Sequence, residues 1–198
     1  SLRCATVNRS GISATSVHVD VTAEQPERHL ADIEKIIDGS SLPDRVKDSS
    51  KQVFKTLALA EARVHGTTPE KIHFHEVGAV DAIIDVVGTV LGLNMLGVER
   101  VLISPLPMGR GFIKCMHGVI PAPAPATLEI LADKNIWVCG CGIDLELVTP
   151  TGAAIAATLG RGCQSWPDML VKGVGYGAGQ REYLKPNLLR LIIGEGKE

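Results

Sequence analysis

The spacing of apolar residues predicts a chain that mixes strands and helices. Alternating apolar and polar positions predict two strands over residues 2–8 and 12–21, joined by a turn at residues 9–11. Five further strands are predicted over residues 98–104, 106–113, 145–148, 169–176 and 188–193. Apolar residues at helical spacing, bounded by proline and glycine, predict five helices over residues 27–37, 43–66, 80–96, 126–132 and 150–159.

These elements follow one another without a regular βαβ rhythm, which favours an α+β fold over a doubly wound sheet. We expect a mixed, largely antiparallel sheet packed with helices, including one buried apolar helix over residues 80–96. Residues 1–66 are expected to hold the first strands and two helices. Residues 67–198 are expected to hold the metal and substrate site and to pack with 1–66 as one unit.

The composition narrows the classes of function. Hydrophobic residues make up 45% and charged residues 21%, which is typical of a globular domain. A net charge of -2 and an aromatic content of 4% argue against a nucleic-acid partner. Five cysteines without disulfide-framework spacing fit a reducing, cytoplasmic location. The apolar run 77–98 contains two aspartates that would be costly in lipid, so no membrane segment is predicted.

The segment from His73 to Asp85 contains the strongest chemical signal. In an extended stretch, His73 and His75 point to the same side, and Glu76 follows directly. Asp81 and Asp85 share one face of the next helix, and buried carboxylates need a cation, a metal or strong donors. This set suits a borderline divalent ion such as nickel, zinc or manganese. The alternative is structural, with a helix cap, an arginine pair and core hydrogen bonds.

Several further residues could bind an anion. Thr149 precedes a helix whose first N–H groups, among them those of Thr151 and Gly152, could hold a phosphate or carboxylate. A plain helix cap is the alternative. Arg110 and Lys114 could contact a phosphate, or could be ordinary surface charges.

The remaining polar candidates are isolated. His117 could ligate a metal or move a proton. Arg181 follows glycines at alternate positions of a strand, where an anionic ligand and plain packing are both open. Cys139 and Cys141 alone cannot complete a four-ligand metal site. The other histidines, among them His65, are interpreted as ordinary surface or edge residues.

Five motifs then occur in order: His73-Phe-His-Glu-Val-Gly-Ala-Val-Asp81, a Gly-x-Gly-Phe stretch ending in His117-Gly118, Pro121-Ala-Pro-Ala-Pro-Ala-Thr127, Glu146-Leu-Val-Thr-Pro-Thr-Gly-Ala153, and Gly175-Tyr-Gly-Ala-Gly179. Over about residues 9–195 they together resemble the LarC family of nickel insertion proteins. The resemblance implies a CTP-dependent nickel chelatase or cyclometallase, a lyase of nickel-pincer cofactor biosynthesis. Its substrates would be Ni²⁺ and a pyridinium bisthiocarboxylic acid mononucleotide.

By this resemblance, the candidate metal ligands are His73, His75, Glu76, Asp81 and Asp85. The candidate substrate-binding residues are Arg110, Lys114, His117, Thr149, Thr151, Gly152 and Arg181. In the full-length protein, Mg²⁺ or Mn²⁺ would act with CTP.

The resemblance also implies that this chain is an internal part of a longer protein. It would lack an N-terminal opening and a C-terminal CTP-binding domain, so we expect the chain alone to be inactive. Partners would be the nucleotide substrate and the missing domain, with a homo-oligomer left open. Two other functions remain: a noncatalytic metal-binding or scaffold module, and a metal-dependent hydrolase of phosphorylated small molecules.

Overall fold

The computed structural model describes residues 1–21, 26–74, 79–116, 118–181 and 185–196. In chain order the elements are β1 (Leu2–Arg9), β2 (Ile12–Val19), α1 (Leu30–Asp38), α2 (Asp44–His65), α3 (Val80–Met95), β3 (Val101–Ile103), β4 (Leu106–Met108), β5 (Phe112–Cys115), β6 (Gly118–Pro121), α4 (Pro125–Asp133), β7 (Val138–Gly140), α5 (Pro150–Leu159), β8 (Gly160–Gly162), β9 (Met169–Ala178) and β10 (Leu188–Gly196). A 3-10 turn covers Pro69–Lys71.

The chain divides into two compact units. The first consists of Ser1–Glu24 and Trp166–Glu198, and the second of Gln25–Ser165. The sequence-based boundary at residues 66/67 falls inside the second unit. The expectation that residues 1–66 and 67–198 pack as one unit stays a prediction.

The first unit is built on a four-stranded mixed sheet of order β1-β2-β9-β10. The β1–β2 and β9–β10 pairs are antiparallel, whereas β2 and β9 run parallel, with Thr15 opposite Gly177. The predicted first hairpin is confirmed. Its turn has left-handed backbone at Ser10 and Gly11, and the Gly11 N–H donates to Asn8 Oδ1 over 2.8 Å.

The second unit is organised around helix α2, which contacts α1, α3, α4 and α5. Apolar residues of α2 recur at helical spacing, so one face of the helix is buried. Its largest buried side chain, Phe54, packs edge-on against Phe74 with ring centroids 6.4 Å apart. Around this pair the core includes Ile33, Ile37, Val53, Leu57, Ile83, Val86, Ile130, Leu131, Ala153, Ala154 and Ala157.

Three short two-stranded sheets flank these helices. β3 pairs with β8 and β4 with β7, both in parallel, and β5 forms an antiparallel hairpin with β6. The α+β class is therefore confirmed, but two predicted strands are wrong. The strand predicted over residues 106–113 ends at Met108 and resumes at Phe112, because Gly111 takes positive φ in a turn between them. Residues 145–148 form no strand; they lead irregularly into α5.

Helix α3 confirms the predicted helix but differs in burial. Ala82, Ile83, Val86 and Val90 are buried, while the stripe of Asp81, Asp85 and Thr89 is exposed. Burial is one-sided because the polar residues recur every four positions and share one face. Neither this helix nor any other in the described ranges is long and apolar enough to cross a bilayer.

Candidate functional site

A pocket of about 410 Å³ lies in the second unit, where several helix ends meet the β5–β6 hairpin. The end of α2 and the starts of α3, α4 and α5 all contribute to its wall. The described lining residues are Glu61, Val64, His65, Asp81, Ala82, Asp85, Ile113, Cys115, Ile120, Ala124, Pro125, Ala126, Glu146, Thr149, Pro150 and Thr151. Among them are four carboxylates, one imidazole and one thiol, but no lysine or arginine. The pocket therefore favours a cation.

The first two turns of α3 bring Asp81 and Asp85 into the pocket. Asp81 Oδ1 accepts a hydrogen bond from the N–H of Ala82 over 2.9 Å, so this carboxylate also binds the helix start. Although Asp85 is on the exposed face of α3, nearby pocket atoms desolvate its carboxylate. This desolvation, and secondly the charge of Asp81, raise the pKa of Asp85 above its ordinary range. Ionised Asp85 is therefore less favourable in the folded chain than in the unfolded one.

Helix α5 presents its N-terminus to the same pocket. Thr149 caps it, with Oγ1 accepting from the N–H of Gly152 over 3.2 Å, and Pro150 occupies the first turn. The cap geometry is thus present, and Thr149 and Thr151 also line the pocket. Helix α4 begins at the pocket too, at Pro125. The starts of helices carry partial positive charge, so this side of the pocket suits an anionic group.

The β5–β6 hairpin forms another wall. Ile113 and Ile120 are opposite one another in the ladder, and with Cys115 they face the pocket. Alternation along β5 places Lys114 on the other side of the hairpin, where it is exposed. The hairpin thus brings an apolar surface and a thiol to the pocket, and directs the lysine away from it.

The loop that leads to Glu146 and Thr149 is held by the turn after β4. The N–H of Cys141 donates to Met108 O over 3.3 Å, and the N–H of Arg110 donates to Ile143 O over 2.9 Å. Gly109 is buried against the loop, and a Cβ on it would lie 1.8 Å from Leu145 O. Only glycine allows this approach, so the turn sets the position of the loop.

The structure brings four predicted site residues together in the pocket: Asp81, Asp85, Thr149 and Thr151. Gly152 follows in the first turn of α5. His73 lies outside the pocket lining. Its ring centroid is 3.9 Å from that of His29, and its Nδ1 is 3.8 Å from Glu27 Oε2. Three predicted residues lie outside the described ranges: His75, Glu76 and His117.

The two predicted arginines lie elsewhere. Arg110 Nε forms an exposed ion pair with Asp144 Oδ1 at 2.6 Å. Arg181 belongs to the first unit, and its carbonyl accepts from Asn187 Nδ2 over 2.9 Å. Cys139 and Cys141 donate to the carbonyls of Pro105 and Met108. The side chains of Arg110, Arg181, Cys139 and Cys141 are thus absent from the described pocket lining.

Four ionisable residues of the pocket were not predicted from the sequence as site residues: Glu61, His65, Cys115 and Glu146. His65, interpreted from the sequence as a surface or edge residue, is exposed at the end of α2 and also lines the pocket. The sequence signal for His65 was its i,i+4 spacing from Glu61. In the structure, His65 Nε2 is 3.5 Å from Glu61 Oε2. Within the described ranges, no three His, Cys, Asp or Glu side chains are grouped closely enough to hold one metal ion.

The Asp85→Asn variant of the metal-free chain is expected to have a higher Tm than wild type at neutral pH. The raised pKa means that wild-type stability falls as pH rises from the ordinary aspartate pKa, about 3.9, through the higher folded value. Asparagine removes the free-energy cost of ionising Asp85 in the folded chain. The difference in Tm between the variant and wild type should therefore disappear at pH values where Asp85 is protonated in both the folded and the unfolded state. Thermal unfolding followed by circular dichroism across this pH range tests it. Asp48→Asn, at an exposed position of α2, is the control; a lower Tm for Asp85→Asn at neutral pH would contradict the prediction.

Oxygen, nitrogen and sulfur donors can bind a divalent transition-metal ion, and helix N-termini can bind an anionic group, so the pocket has the donor types of a site that handles both. The whole chain, residues 1–198, matches the model of a family described as nickel insertion protein, and the chain belongs to this family. No solved structure matches it.

Two relatives show how far this similarity extends. A protein of Geotalea daltonii, provisionally named a nickel insertion protein, is 51% identical over 193 residues, covering 97% of this chain and 49% of the relative. The pyridinium-3,5-bisthiocarboxylic acid mononucleotide nickel insertion protein of Desulfitobacterium hafniense strain DCB-2 is 49% identical over 189 residues, covering 96% of this chain and 46% of the relative. The chain spans about half the length of the curated relatives that it matches.

Proposed function

We propose that this chain provides the nickel- and substrate-binding part of a protein that inserts nickel into pyridinium bisthiocarboxylic acid mononucleotide. The observation that carries the proposal is the pocket that combines Asp81 and Asp85 with the start of α5. Family membership and the name of the D. hafniense relative support the choice of nickel as the metal and of this mononucleotide as the nucleotide.

The two sides of the pocket match the two substrates. Four carboxylates without a lysine or arginine among the described lining residues favour Ni²⁺ over an anion. The N–H group of Thr151, at the positive end of α5, suits the phosphate or a carboxyl group of the nucleotide, while the N–H of Gly152 is donated to the Thr149 cap. A pocket of about 410 Å³ is within the usual range for a small-molecule site. Nickel and nucleotide would then be held side by side.

Of the predicted metal ligands, Asp81 and Asp85 are the two that this proposal places in the pocket. His75 and Glu76 precede them closely in sequence, and these two residues and His73 stay proposed ligands. The CTP-dependent, lyase-type chemistry and the Mg²⁺ or Mn²⁺ that accompanies it are assigned to the longer protein. We expect this chain alone to bind both substrates without forming product.

Nickel titration of the chain by calorimetry, with and without the metal-free mononucleotide, tests the proposal. With the mononucleotide present, the double variant Asp81→Asn/Asp85→Asn should bind nickel at least about tenfold more weakly, a change of about 1.4 kcal/mol. The matched control is Asp44→Asn/Asp48→Asn, which removes the same charge near the other end of the 22-residue α2. It should bind like wild type. Equal affinities for the two double variants would remove the pocket assignment.

A reaction assay separates insertion from the other functions considered. The chain and the D. hafniense relative are each incubated with nickel, CTP and the mononucleotide, and products are identified by mass spectrometry. Nickel-containing product from the relative, with binding alone by the chain, agrees with the proposal. Nickel binding by the chain without any mononucleotide binding would favour a metal-delivery module. Nickel-independent hydrolysis of phosphate esters by the chain would contradict the proposal.

A further inference from the structure

Glu61 and His65 form a pair of potential metal ligands at the end of α2. They are four residues apart on one helix face, and both line the 410 Å³ pocket. Carboxylate and imidazole together suit a borderline divalent ion such as nickel. Neither residue belongs to the predicted ligand set of residues 73–85.

The distance between the two side chains fits coordination of a single ion. Glu61 Oε2 and His65 Nε2 are 3.5 Å apart. With metal–ligand bonds of about 2.1 Å, this separation corresponds to an angle of about 110° at the metal. This angle is close to the tetrahedral angle and wider than the octahedral one. Both atoms can therefore bind one ion with only small side-chain adjustments.

The helix that carries the pair also favours a cation at this place. His65 is the last residue of α2, and Gly66 ends the helix in the left-handed conformation with φ 62. The partial negative charge of a helix C-terminus acts over its last turn, which here includes His65. The starts of α3, α4 and α5 face the same pocket, where the charges of Asp81 and Asp85 offset the positive end of α3. Of these four helix ends, that of α2 is the negative one.

We propose that Glu61 and His65 are a loading site that binds Ni²⁺ before it enters the substrate. That the ion is nickel rests on the proposed function, whereas the binding of a divalent ion rests on the pair and the helix end. Within the described ranges no third His, Cys, Asp or Glu is close enough to complete a metal site.

Nickel binding to the whole chain, without nucleotide, tests this inference. His65→Ala and Glu61→Gln should each weaken nickel binding by at least ~10–100-fold. Removing an outer-shell partner of a metal ligand typically causes a loss of this size, and removing a direct ligand should cost at least as much. X-ray absorption of the nickel complex should show imidazole scattering that His65→Ala reduces. His18→Ala, a histidine of β2 in the other unit, is the matched control and should leave affinity and spectrum unchanged.

The outcomes separate this inference from the proposed function. If His65→Ala binds nickel like wild type, with unchanged imidazole scattering, the loading site is wrong even when insertion by the D. hafniense relative is observed. If His65→Ala loses nickel binding but the relative forms no nickel-containing nucleotide, the metal site stands and the insertion function fails. Circular dichroism should show that each variant is folded, because Glu61 and His65 lie at the pocket surface.

Discussion

Replacing Gly109 with alanine is expected to lower the free energy of unfolding by about 2–3 kcal/mol and to weaken nickel binding. The new Cβ would lie 1.8 Å from Leu145 O and 3.1 Å from Ile143 O, both backbone atoms that cannot rotate away. The turn and the loop must therefore separate, which strains the bond from the N–H of Arg110 to Ile143 O. Because the same loop leads to Glu146, the pocket wall should move with it.

Gly140→Ala is the matched control for this substitution. Gly140 ends β7, the partner strand of β4, but no described atom lies within 4 Å of its Cβ position. Its unfolding free energy should stay within about 0.5 kcal/mol of wild type. Urea unfolding followed by circular dichroism gives the stabilities, and calorimetry gives the nickel affinities. Equal results for the two alanine variants would show that Gly109 does not position the loop.

The second large effect is expected for Phe54→Ala, which should cost about 3–5 kcal/mol of unfolding free energy. Phe54 is fully buried in α2, and its removal leaves a cavity beside Phe74, which is 3% exposed. A loss of this size is a large part of the 5–15 kcal/mol that stabilises a typical domain. Partial unfolding of the helical unit at room temperature is therefore expected.

Leu59→Ala tests whether this effect comes from burial. Leu59 lies on the same helix but is 40% exposed, and alanine has a higher helix propensity, so the change should be below about 1 kcal/mol. Far-ultraviolet circular dichroism follows both variants, since the described helices all belong to Gln25–Ser165. A Phe54→Ala variant as stable as Leu59→Ala would contradict the assignment of Phe54 to the core.

Local signals in the sequence were sufficient for the longer elements. Pro43 before α2, and Thr149 with Pro150 before α5, predicted those helix starts because capping depends on a few adjacent residues. The turn at Gly11 predicted the β1–β2 hairpin for the same reason. Strand pairs between distant segments were not predictable, as in β4 with β7, because the partner contributes half of each ladder.

The candidate site was only partly predictable. Asp81 and Asp85 stood out because carboxylates interrupt an apolar helix, yet nothing local indicated that they share a pocket with Thr151. Glu61 and His65 could not be distinguished from a surface ion pair, since an i,i+4 acid–histidine pair is common on exposed helix faces. His73, one residue from the buried Phe74, lies against His29 with the two rings tilted by 48°, and it is outside the described pocket lining.

By itself, the sequence determined the α+β class, the main helices, the acidic stripe of α3 and the family motifs, because these depend on spacing and capping within a few residues. Only the tertiary structure decided which side chains meet. Burial of the apolar faces of α2, α3, α4 and α5 against one another brings their ends to one pocket. The resulting groups come from positions as far apart as Glu61 and Thr151, a separation over which no local pattern in the chain carries information.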